Sequence, residues 1–253
     1  MRQSERAFVA EGAKLVEVAF RSGRPIETVF VATEGTTPAI AALVAEVAST
    51  GARVFDLGPG IMERVADTIA PQPVCAVVGA VDVTLEQLLE RSPGSDETVA
   101  ALARRLWLVC VDVRDPGNLG SILRVAAASG VAGVIVCAGS VDPYNPKAVR
   151  ASAGAIFQVP LVKSSDALST LAALRSSGCR LLGTTAEGGT DYLAVDFEGD
   201  VALVLGNEAS GLPDDLATAL DGWVTIPMAT GTESLNVAMT AAVLCFEAAR
   251  RGR

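Results

Sequence analysis

The stretch VALVLGNEASGLP, residues 201–213, decides the fold that the rest of the sequence is expected to adopt. Its first five residues are all apolar, as in a parallel strand that is covered on both faces. Gly206, Asn207 and Glu208 follow at once, so an amide and a carboxylate lie beyond the strand's end. In an open parallel sheet, ligands bind beyond the carboxyl ends of the strands. The stretch therefore predicts a ligand site at the rim of a parallel sheet, although a polar turn before a helix fits the same residues.

The flanking sequence repeats a rhythm of strand, loop and helix from residue 105 to residue 253. Apolar runs predict strands at 106–111, 133–137, 180–184, 201–205 and 223–226. Helices are predicted at 119–129, 146–151, 167–176 and 236–250. Alternating elements of this kind predict the α/β fold class, with helices packed on a parallel sheet.

Residues 1–80 have the pattern of a smaller α/β unit. An apolar side that carries Phe8, Leu15, Val16 and Ala19 predicts a helix over residues 4–19. Further helices are predicted at 38–48 and near Pro59, and strands at 26–31, 53–55 and 74–78. A cluster of polar and chain-breaking residues at 91–96 indicates a linker over 81–104, which includes a helical piece at 85–89.

The composition excludes several classes of chemistry. The 253 residues include no His, which excludes Ser-His-Asp triads, His proton relays and His-dependent zinc sites, and we expect no metal. A net charge of −9 argues against nonspecific binding to nucleic acid, although it allows a local basic face. Aromatic residues make up only 4%, which argues against an aromatic platform for stacked bases.

The cysteines and the N-terminus bear on the cellular compartment. Five widely spaced cysteines, mostly in apolar runs, indicate reduced core thiols in a cytoplasmic protein. The first residues, MRQSERAF, lack the apolar core of a signal peptide. The longest uncharged stretch, 125–141, contains glycines and is short for a membrane-spanning helix, so we expect no membrane association.

A second polar loop follows the predicted strand at 106–111. Pro116 and Gly117 end the strand, Asn118 can cap the next helix, and Arg124 lies six residues further along that helix. A capped crossover helix with a solvated arginine explains the same residues equally well.

A third loop follows the predicted strand at 223–226. Its small residues leave backbone N–H and C=O groups open to a ligand such as adenine, and Ser234 and Asn236 begin the last helix. A capped terminal helix alone also fits this pattern. The sequence contains neither a Walker motif nor a strand-linked GxGxxG, which disfavours a dinucleotide site or an ordinary Rossmann methyltransferase site.

Taken together, these segments resemble the motifs of the SpoU (TrmH) family of RNA ribose 2′-O-methyltransferases, in the SPOUT superfamily. The three motifs match NLGSILR at 118–124, LGNEASGL at 205–212, and IPM at 226–228 followed by SLNVA at 234–238. NPKAVRASAG at 145–154 resembles the segment between the first two motifs. FVAEG at 8–12, followed by KLV, resembles the family's L30e-like RNA-binding domain. Four matches in order over about 150 residues are specific.

The resemblance implies a fold and a cofactor. The expected fold is a SPOUT-type parallel sheet with a C-terminal trefoil knot over residues 105–253, preceded by the L30e-like domain over 1–80. Members act as homodimers, and the apolar last helix suggests a place in the dimer interface. The cofactor is S-adenosyl-L-methionine, and the residues matched to its site are Thr184, Thr185, Ala186, Leu205, Gly206, Asn207, Glu208, Ile226, Pro227, Met228, Ser234, Leu235 and Asn236.

The resemblance also implies catalytic roles. The key polar role falls on Arg124, supported by Asn118, Glu208, Ser234 and Asn236. Because a guanidinium holds its proton above about pH 12, we expect Arg124 to anchor an RNA phosphate and to stabilise the developing alkoxide. The final proton acceptor is the phosphate, Glu208 or water.

The substrate would be tRNA or rRNA, and the sequence leaves open which RNA and which nucleotide. Residues expected to contact the RNA are Arg6, Lys14, Arg114, Lys147 and Arg150, and the alternative for each is a solvated surface charge. Two other functions remain open. One is a SPOUT-like RNA- or ribosome-binding protein without catalysis, and the other is an unrelated α/β enzyme that uses another nucleotide.

Overall fold

The fold consists of two sheets that share an apolar core. The structure is a computed structural model that describes residues 6–66, 68, 70–90, 105–229 and 234–251. A four-stranded sheet with strand order β1-β4-β2-β3 is followed along the chain by a seven-stranded sheet with order β7-β6-β5-β10-β8-β11-β9. The predicted breaker cluster at 91–96 lies outside the described residues.

The chain begins with a strand where a helix was predicted. Strand β1 spans Ala7–Glu11 and helix α1 spans Ala13–Arg21, so the prediction of one helix over 4–19 is wrong in its first half. Phe8 and Ala10 are buried whereas Val9 is 45% exposed, which is the alternation of a strand. Gly12, with φ +98°, separates the two elements, because that backbone conformation favours glycine.

The other N-terminal elements agree with the predictions. They are β2 Ile26–Ala32, α2 Pro38–Ala48, β3 Arg53–Leu57, α3 Met62–Val65 and β4 Val74–Gly79. Helix α4, Leu85–Glu90, follows in the predicted connector. Strand β4 pairs antiparallel with β1 and β2, whereas β2 and β3 pair in parallel.

Every strand pair of the second sheet is parallel, as the apolar runs predicted. Its strands are β5 Leu106–Cys110, β6 Gly133–Cys137, β7 Leu161–Ser164, β8 Arg180–Thr184, β9 Thr190–Asp191, β10 Val201–Leu205 and β11 Gly222–Thr225. Its helices are α5 Pro116–Ser129, α6 Pro146–Ala151, α7 Ala167–Ser176, α8 Asp214–Ala217 and α9 Val237–Arg251. The prediction missed the two edge strands β7 and β9, which are short and partly polar.

Helix α5 begins earlier than predicted, and a different residue caps it. Pro116 occupies the first turn, and the side chain of Asp115 accepts a 2.9 Å hydrogen bond from the Asn118 amide. Asp115 is therefore the N-cap, and the expectation that Asn118 caps the helix is wrong. The side chain of Asn118 is left available for other partners.

The two sheets are joined by buried aromatic and polar contacts. Phe8 of β1 stacks on Tyr144 and Phe157, with ring centroids 4.7 and 5.8 Å apart. The Tyr144 hydroxyl accepts hydrogen bonds of 2.8 Å from the amides of Val81 and Asp82 and donates to the Asp82 carboxylate. These contacts fix residues that follow β4 against the second sheet.

The structure also bears on the expectation of buried core thiols and on the expectation of no membrane-spanning helix. All five cysteines are buried free thiols, and burial raises the pKa of Cys75 to about 11 and that of Cys245 to about 12. The predicted core thiols are thus confirmed as buried. Within the described ranges, no helix has the length and apolar character needed to span a membrane.

Candidate active site

A cavity of about 590 Å³ lies at the carboxyl edge of the parallel sheet, where the loops after β8, β10 and β11 meet the start of α9. Its lining comprises residues 184–186, 206–212, 223–224, 226, 228, 234–235, 237 and 240. The volume falls in the range of about 300–1,000 Å³ that is typical of small-molecule sites. The cavity therefore lies where the strand pattern predicted a ligand site.

Most of the residues expected to bind the cofactor line this cavity. The exceptions are Leu205, which is fully buried in β10, and Pro227 and Asn236, which are not part of the lining. Residues 209–212 of the second motif also line the cavity, although they were not among the residues expected to bind the cofactor. The sequence reasoning further missed Trp223 and Val224 of β11, and Val237 and Thr240 at the start of α9. The only indication of these four residues in the sequence was that they lie close to the third motif. The end of β11 and the first turn of α9 border the same loop.

The loop after β10 folds tightly back on itself. Asn207 and Gly211 exchange two backbone hydrogen bonds of 2.9 Å, and the Asn207 side chain accepts from the amides of Ala209 and Ser210. A Cβ at Gly206 would lie 2.6 Å from the carbonyl carbon and oxygen of Gly211. Only glycine fits at position 206 without moving the loop that forms one wall of the cavity.

A hydrogen-bonded network joins the first, second and third motifs. The Asn118 side-chain amide donates to a carboxylate oxygen of Glu208, and its Oδ1 accepts from Asn236 Nδ2 at 2.9 Å. Asn236 Oδ1 in turn accepts from the Ala238 amide at 2.9 Å, in the first turn of α9. Three predicted catalytic residues are thus brought together.

The loop after β5 is held to the loop after β10 through a backbone carbonyl. Asn207 Nδ2 donates to the Asp112 carbonyl at 3.0 Å, and Asp112 has a φ of +56°. The Asp112 carboxylate pairs with Arg114 at 2.8 Å and raises the pKa of that guanidinium. The hydrogen bond from the Asn118 amide, aided by Lys147, lowers the pKa of Asp115. These contacts favour the charged form of the N-cap of α5.

Arg124 is placed differently from the other predicted catalytic residues. It lies on α5 beyond Asn118, is exposed to solvent, and does not line the cavity. Within the part of the chain that the structure describes, its side chain makes no hydrogen bond or ion pair. Ser234 lines the cavity but is exposed, so the structure brings together Asn118, Glu208 and Asn236, with Ser234 nearby and Arg124 outside.

The five residues expected to contact RNA all have acidic partners. Arg6 pairs with Asp82 at 3.1 Å, Lys14 with Glu17 at 3.4 Å, and Lys147 with Asp115 at 3.5 Å. Arg114 pairs with Asp112, and Arg150 with Glu11 at 3.3 Å. The Arg150–Glu11 pair is partly buried between the two sheets, where it also joins them. Among the described residues, no group of three or more His, Cys, Asp or Glu side chains could hold a metal ion.

The fold and the site resemble solved structures of RNA methyltransferases. An AdoMet-bound rRNA methyltransferase from Sinorhizobium meliloti matches with a TM-score of 0.84 and 29% identity, over 99% of this chain and 89% of that one. The SpoU methyltransferase AviRb from Streptomyces viridochromogenes, in complex with AdoMet, matches with a TM-score of 0.86 and 29% identity, over 99% and 92%. These similarities define the class of this protein as an α/β methyltransferase of the SpoU type.

The family follows from the sequence comparisons. Residues 105–246 match the SpoU rRNA Methylase family, and the chain belongs to that family. Residues 1–76 match the MRM3-like substrate binding domain. The 23S rRNA (guanosine(2553)-2′-O)-methyltransferase RlmP of Bacillus subtilis is 29% identical over 97% of this chain and 89% of its own length. An uncharacterized tRNA/rRNA methyltransferase of Mycobacterium tuberculosis is 35% identical over 86% of this chain and 73% of its own.

Proposed function

We propose that this protein methylates the 2′-hydroxyl of a ribose in RNA, with S-adenosyl-L-methionine as methyl donor. The observation that carries the proposal is the cavity lined by the second and third family motifs, to which the first motif is joined by the hydrogen bonds of Asn118 with Glu208 and Asn236. Membership of the SpoU family and the names of the relatives support the same activity.

The cavity fits the proposed cofactor. Its lining combines backbone groups of the Gly206–Leu212 loop with apolar side chains such as Ile226 and Met228, which suit the nucleoside part of that cofactor. The space that a Cβ at Gly206 would need is already taken by Gly211, so the backbone itself forms the wall. S-adenosyl-L-methionine supplies an activated methyl group on a sulfonium centre.

The residues of the chain would orient the ribose and manage its proton. Proximity and orientation can contribute roughly 7–11 kcal/mol to such a reaction. Asn118 holds the Glu208 carboxylate and the Asn236 amide in fixed orientations at the cavity rim. We assign Arg124 as the cation that binds an RNA phosphate and stabilises the alkoxide that develops at the 2′-oxygen. Its exposed position leaves the guanidinium accessible to RNA.

The proposed substrate class is ribosomal RNA. RlmP acts on 23S rRNA by its name, and other relatives carry names of the same kind. We retain Arg6, Lys14, Arg114, Lys147 and Arg150 as phosphate contacts, in which the phosphate would replace the present carboxylate partner. Such contacts predict a steep fall of RNA affinity with salt, and an affinity independent of salt would contradict them.

Domain organisation and assembly are part of the proposal. We assign residues 1–80 to an L30e-like substrate domain, 81–104 to a linker, and 105–253 to a SPOUT domain with a trefoil knot. Strand β10 lies between β5 and β8 in the sheet although it follows both of them in the chain. This late return of the chain to the centre of the sheet supports the proposed knot. Met239 and Phe246, 58% and 50% exposed on one side of α9, support a homodimer. We place the protein in the cytoplasm, where ribosomal RNA lies.

The test is transfer of tritium from [methyl-³H]-S-adenosylmethionine to total RNA by the purified protein. A methylated 2′-oxygen cannot attack the neighbouring phosphate, so the label should appear in an alkali-resistant dinucleotide. Mapping 2′-O-methyl sites in RNA from cells with and without the gene identifies the nucleotide. Cofactor and RNA binding without any transfer would favour the catalytically inactive RNA-binding alternative.

A further inference from the structure

A pair of phenylalanines lies side by side on the N-terminal sheet, outside the cavity. Phe30 of β2 and Phe55 of β3 are directly opposite in the parallel register. Their ring centroids are 5.7 Å apart and the ring planes differ by 22°, so the two rings stack with an offset, and Phe55 is the outer ring on the edge strand β3. Phe55 is 46% exposed and Phe30 is half-buried.

This surface is open because the helices cover the other face of the sheet. Leu15, Val16 and Ala19 of α1 pack with Val29 and Val31, which alternate with Phe30 along β2. On the face of Phe30, the four-residue helix α3 covers the neighbouring strand β4 by placing Met62 against Cys75. The rings of Phe30 and Phe55 lie beyond that cover, at the edge of the sheet.

A cation lies beside the aromatic pair. Arg53 precedes Phe55 by two positions on β3 and therefore lies on the same face. Its Nη2 donates to Thr28 Oγ1 at 3.2 Å, across the strand pair. Among the described residues, no carboxylate lies within ion-pair distance of Arg53, in contrast to Arg6 or Lys14.

We propose that Phe30, Phe55 and Arg53 form a platform that binds an unpaired nucleobase of RNA and its phosphate. Every base has an apolar face that stacks on an aromatic ring, and an arginine without an acidic partner attracts a phosphate. The match of residues 1–76 to a substrate binding domain supports a substrate contact in this part of the chain. The aromatic content of 4% argued against an aromatic platform, but the register of β2 and β3 pairs two of the few rings, and this platform needs only two.

This proposal rests on the proposed function, because that function identifies the ligand of the platform as RNA. A second copy of the chain is the other occupant to consider. A stable protein interface buries about 800 Å² on each partner, much more than two rings and an arginine offer.

The test compares RNA binding by substituted proteins, with fluorescence anisotropy of a labelled oligouridylate as probe. Phe55→Ala should raise the dissociation constant about 5- to 150-fold, as for other aromatic residues that stack on a base. Phe55→Trp should preserve binding. Leu168→Ala, which removes a similarly exposed apolar side chain from α7, should have no effect. Arg53→Gln should reduce the slope of log affinity against log salt by about 0.7, whereas Phe55→Ala should not change it.

The outcomes separate this proposal from the proposed function. Equal oligouridylate binding by wild type and Phe55→Ala, or no binding by wild type, would overturn the platform even if the enzyme methylates RNA. Loss of binding in Phe55→Ala together with no methyl transfer by wild type would keep the platform and reject the activity. A change of sedimentation coefficient in Phe55→Ala would instead identify a contact between copies and overturn the platform. With both proposals correct, Phe55→Ala raises KM for RNA and leaves kcat and cofactor affinity unchanged.

Discussion

Asn118 donates a hydrogen bond to Glu208 although the two residues lie 90 positions apart in the chain. The same side chain accepts from Asn236 through its oxygen, so both ends of the amide are in use. An amide has one donating and one accepting end, and these partners fix which end faces which. One side chain therefore joins helix α5 to the loop after β10, which lines the cavity, and to the loop that leads into α9.

Replacement of Asn118 by aspartate should lower methylation strongly at neutral pH. The new carboxylate would face Glu208, and two carboxylates in contact disfavour each other's charge. As the pH falls, the pair takes up a shared proton, and a hydrogen bond between the two side chains returns. The ratio of Asn118→Asp activity to wild-type activity should thus rise as the pH is lowered from 8 to about 5, measured by tritium transfer.

Asn118→Ala is the matched control for that pH effect. It removes the hydrogen bonds without adding a charge, so its activity relative to wild type should stay low at every pH. If both variants showed the same pH profile, the Asn118–Glu208 contact would have no part in setting the site.

Arg124→Ala should abolish methyl transfer while the protein stays folded. Arg124 is exposed and lines no part of the cavity, so neither thermal stability nor the affinity for S-adenosylmethionine should change. Loss of a group that stabilises charge in the transition state lowers kcat about 10²–10³-fold. Single-turnover transfer at saturating RNA measures the fall, and normal turnover in this variant would refute the assigned role.

Gly206→Ala should damage the cofactor site through the backbone. The added Cβ would lie 2.6 Å from the Gly211 carbonyl, so the loop that faces the cavity must move. We expect the affinity for S-adenosylmethionine to fall at least about tenfold, which corresponds to roughly 1.4 kcal/mol, measured by calorimetry. Gly58→Ala is the control, since an added Cβ there meets no atom within 4 Å. Unchanged affinity in Gly206→Ala would mean that the cofactor binds elsewhere.

Local signals in the sequence were sufficient for most of the fold. Strands such as Gly133–Cys137 and Val201–Leu205 are uninterrupted apolar runs, and the helix Pro38–Ala48 starts with a proline after a capping threonine. These features act through neighbouring residues, so a single sequence reveals them. The residues of the cavity were predicted from the resemblance of three segments to the family motifs, and the strand pattern placed two of those segments beyond strand ends.

Contacts between distant segments account for what the sequence did not reveal. Strand β1 pairs with β4 along its whole length, from Ala7–Gly79 to Glu11–Cys75, and this pairing overrides the helical spacing of its apolar residues. The pairing of Phe30 with Phe55 likewise depends on the register of two strands. Asp115 was a local signal that was misread, since Pro116 in the first turn already indicated the residue before it as the cap.

Glu247 near the end of α9 should make stability depend on pH in acid. It accepts hydrogen bonds from Arg250 at 2.7 and 2.8 Å and from Arg251 at 2.6 Å, and these lower its pKa from 4.5 to about 2. A carboxyl with a lowered pKa in the folded state contributes stability that is present above its unfolded pKa and is lost as the pH falls through the folded value. Glu247→Gln should therefore be less stable than wild type above about pH 4.5, and the difference should vanish towards pH 2.

Urea unfolding at a series of pH values measures that difference for the two proteins. Arg251 also donates to the Val195 carbonyl at 2.8 Å, so the side chain that binds the Glu247 carboxylate also ties α9 to the segment between β9 and β10. Glu46→Gln, on the exposed side of α2 and without an ion pair among the described residues, serves as control and should leave the pH dependence unchanged. A Glu247→Gln protein whose stability stays parallel to wild type from pH 7 to about 2 would show that these arginines do not stabilise the folded helix through Glu247.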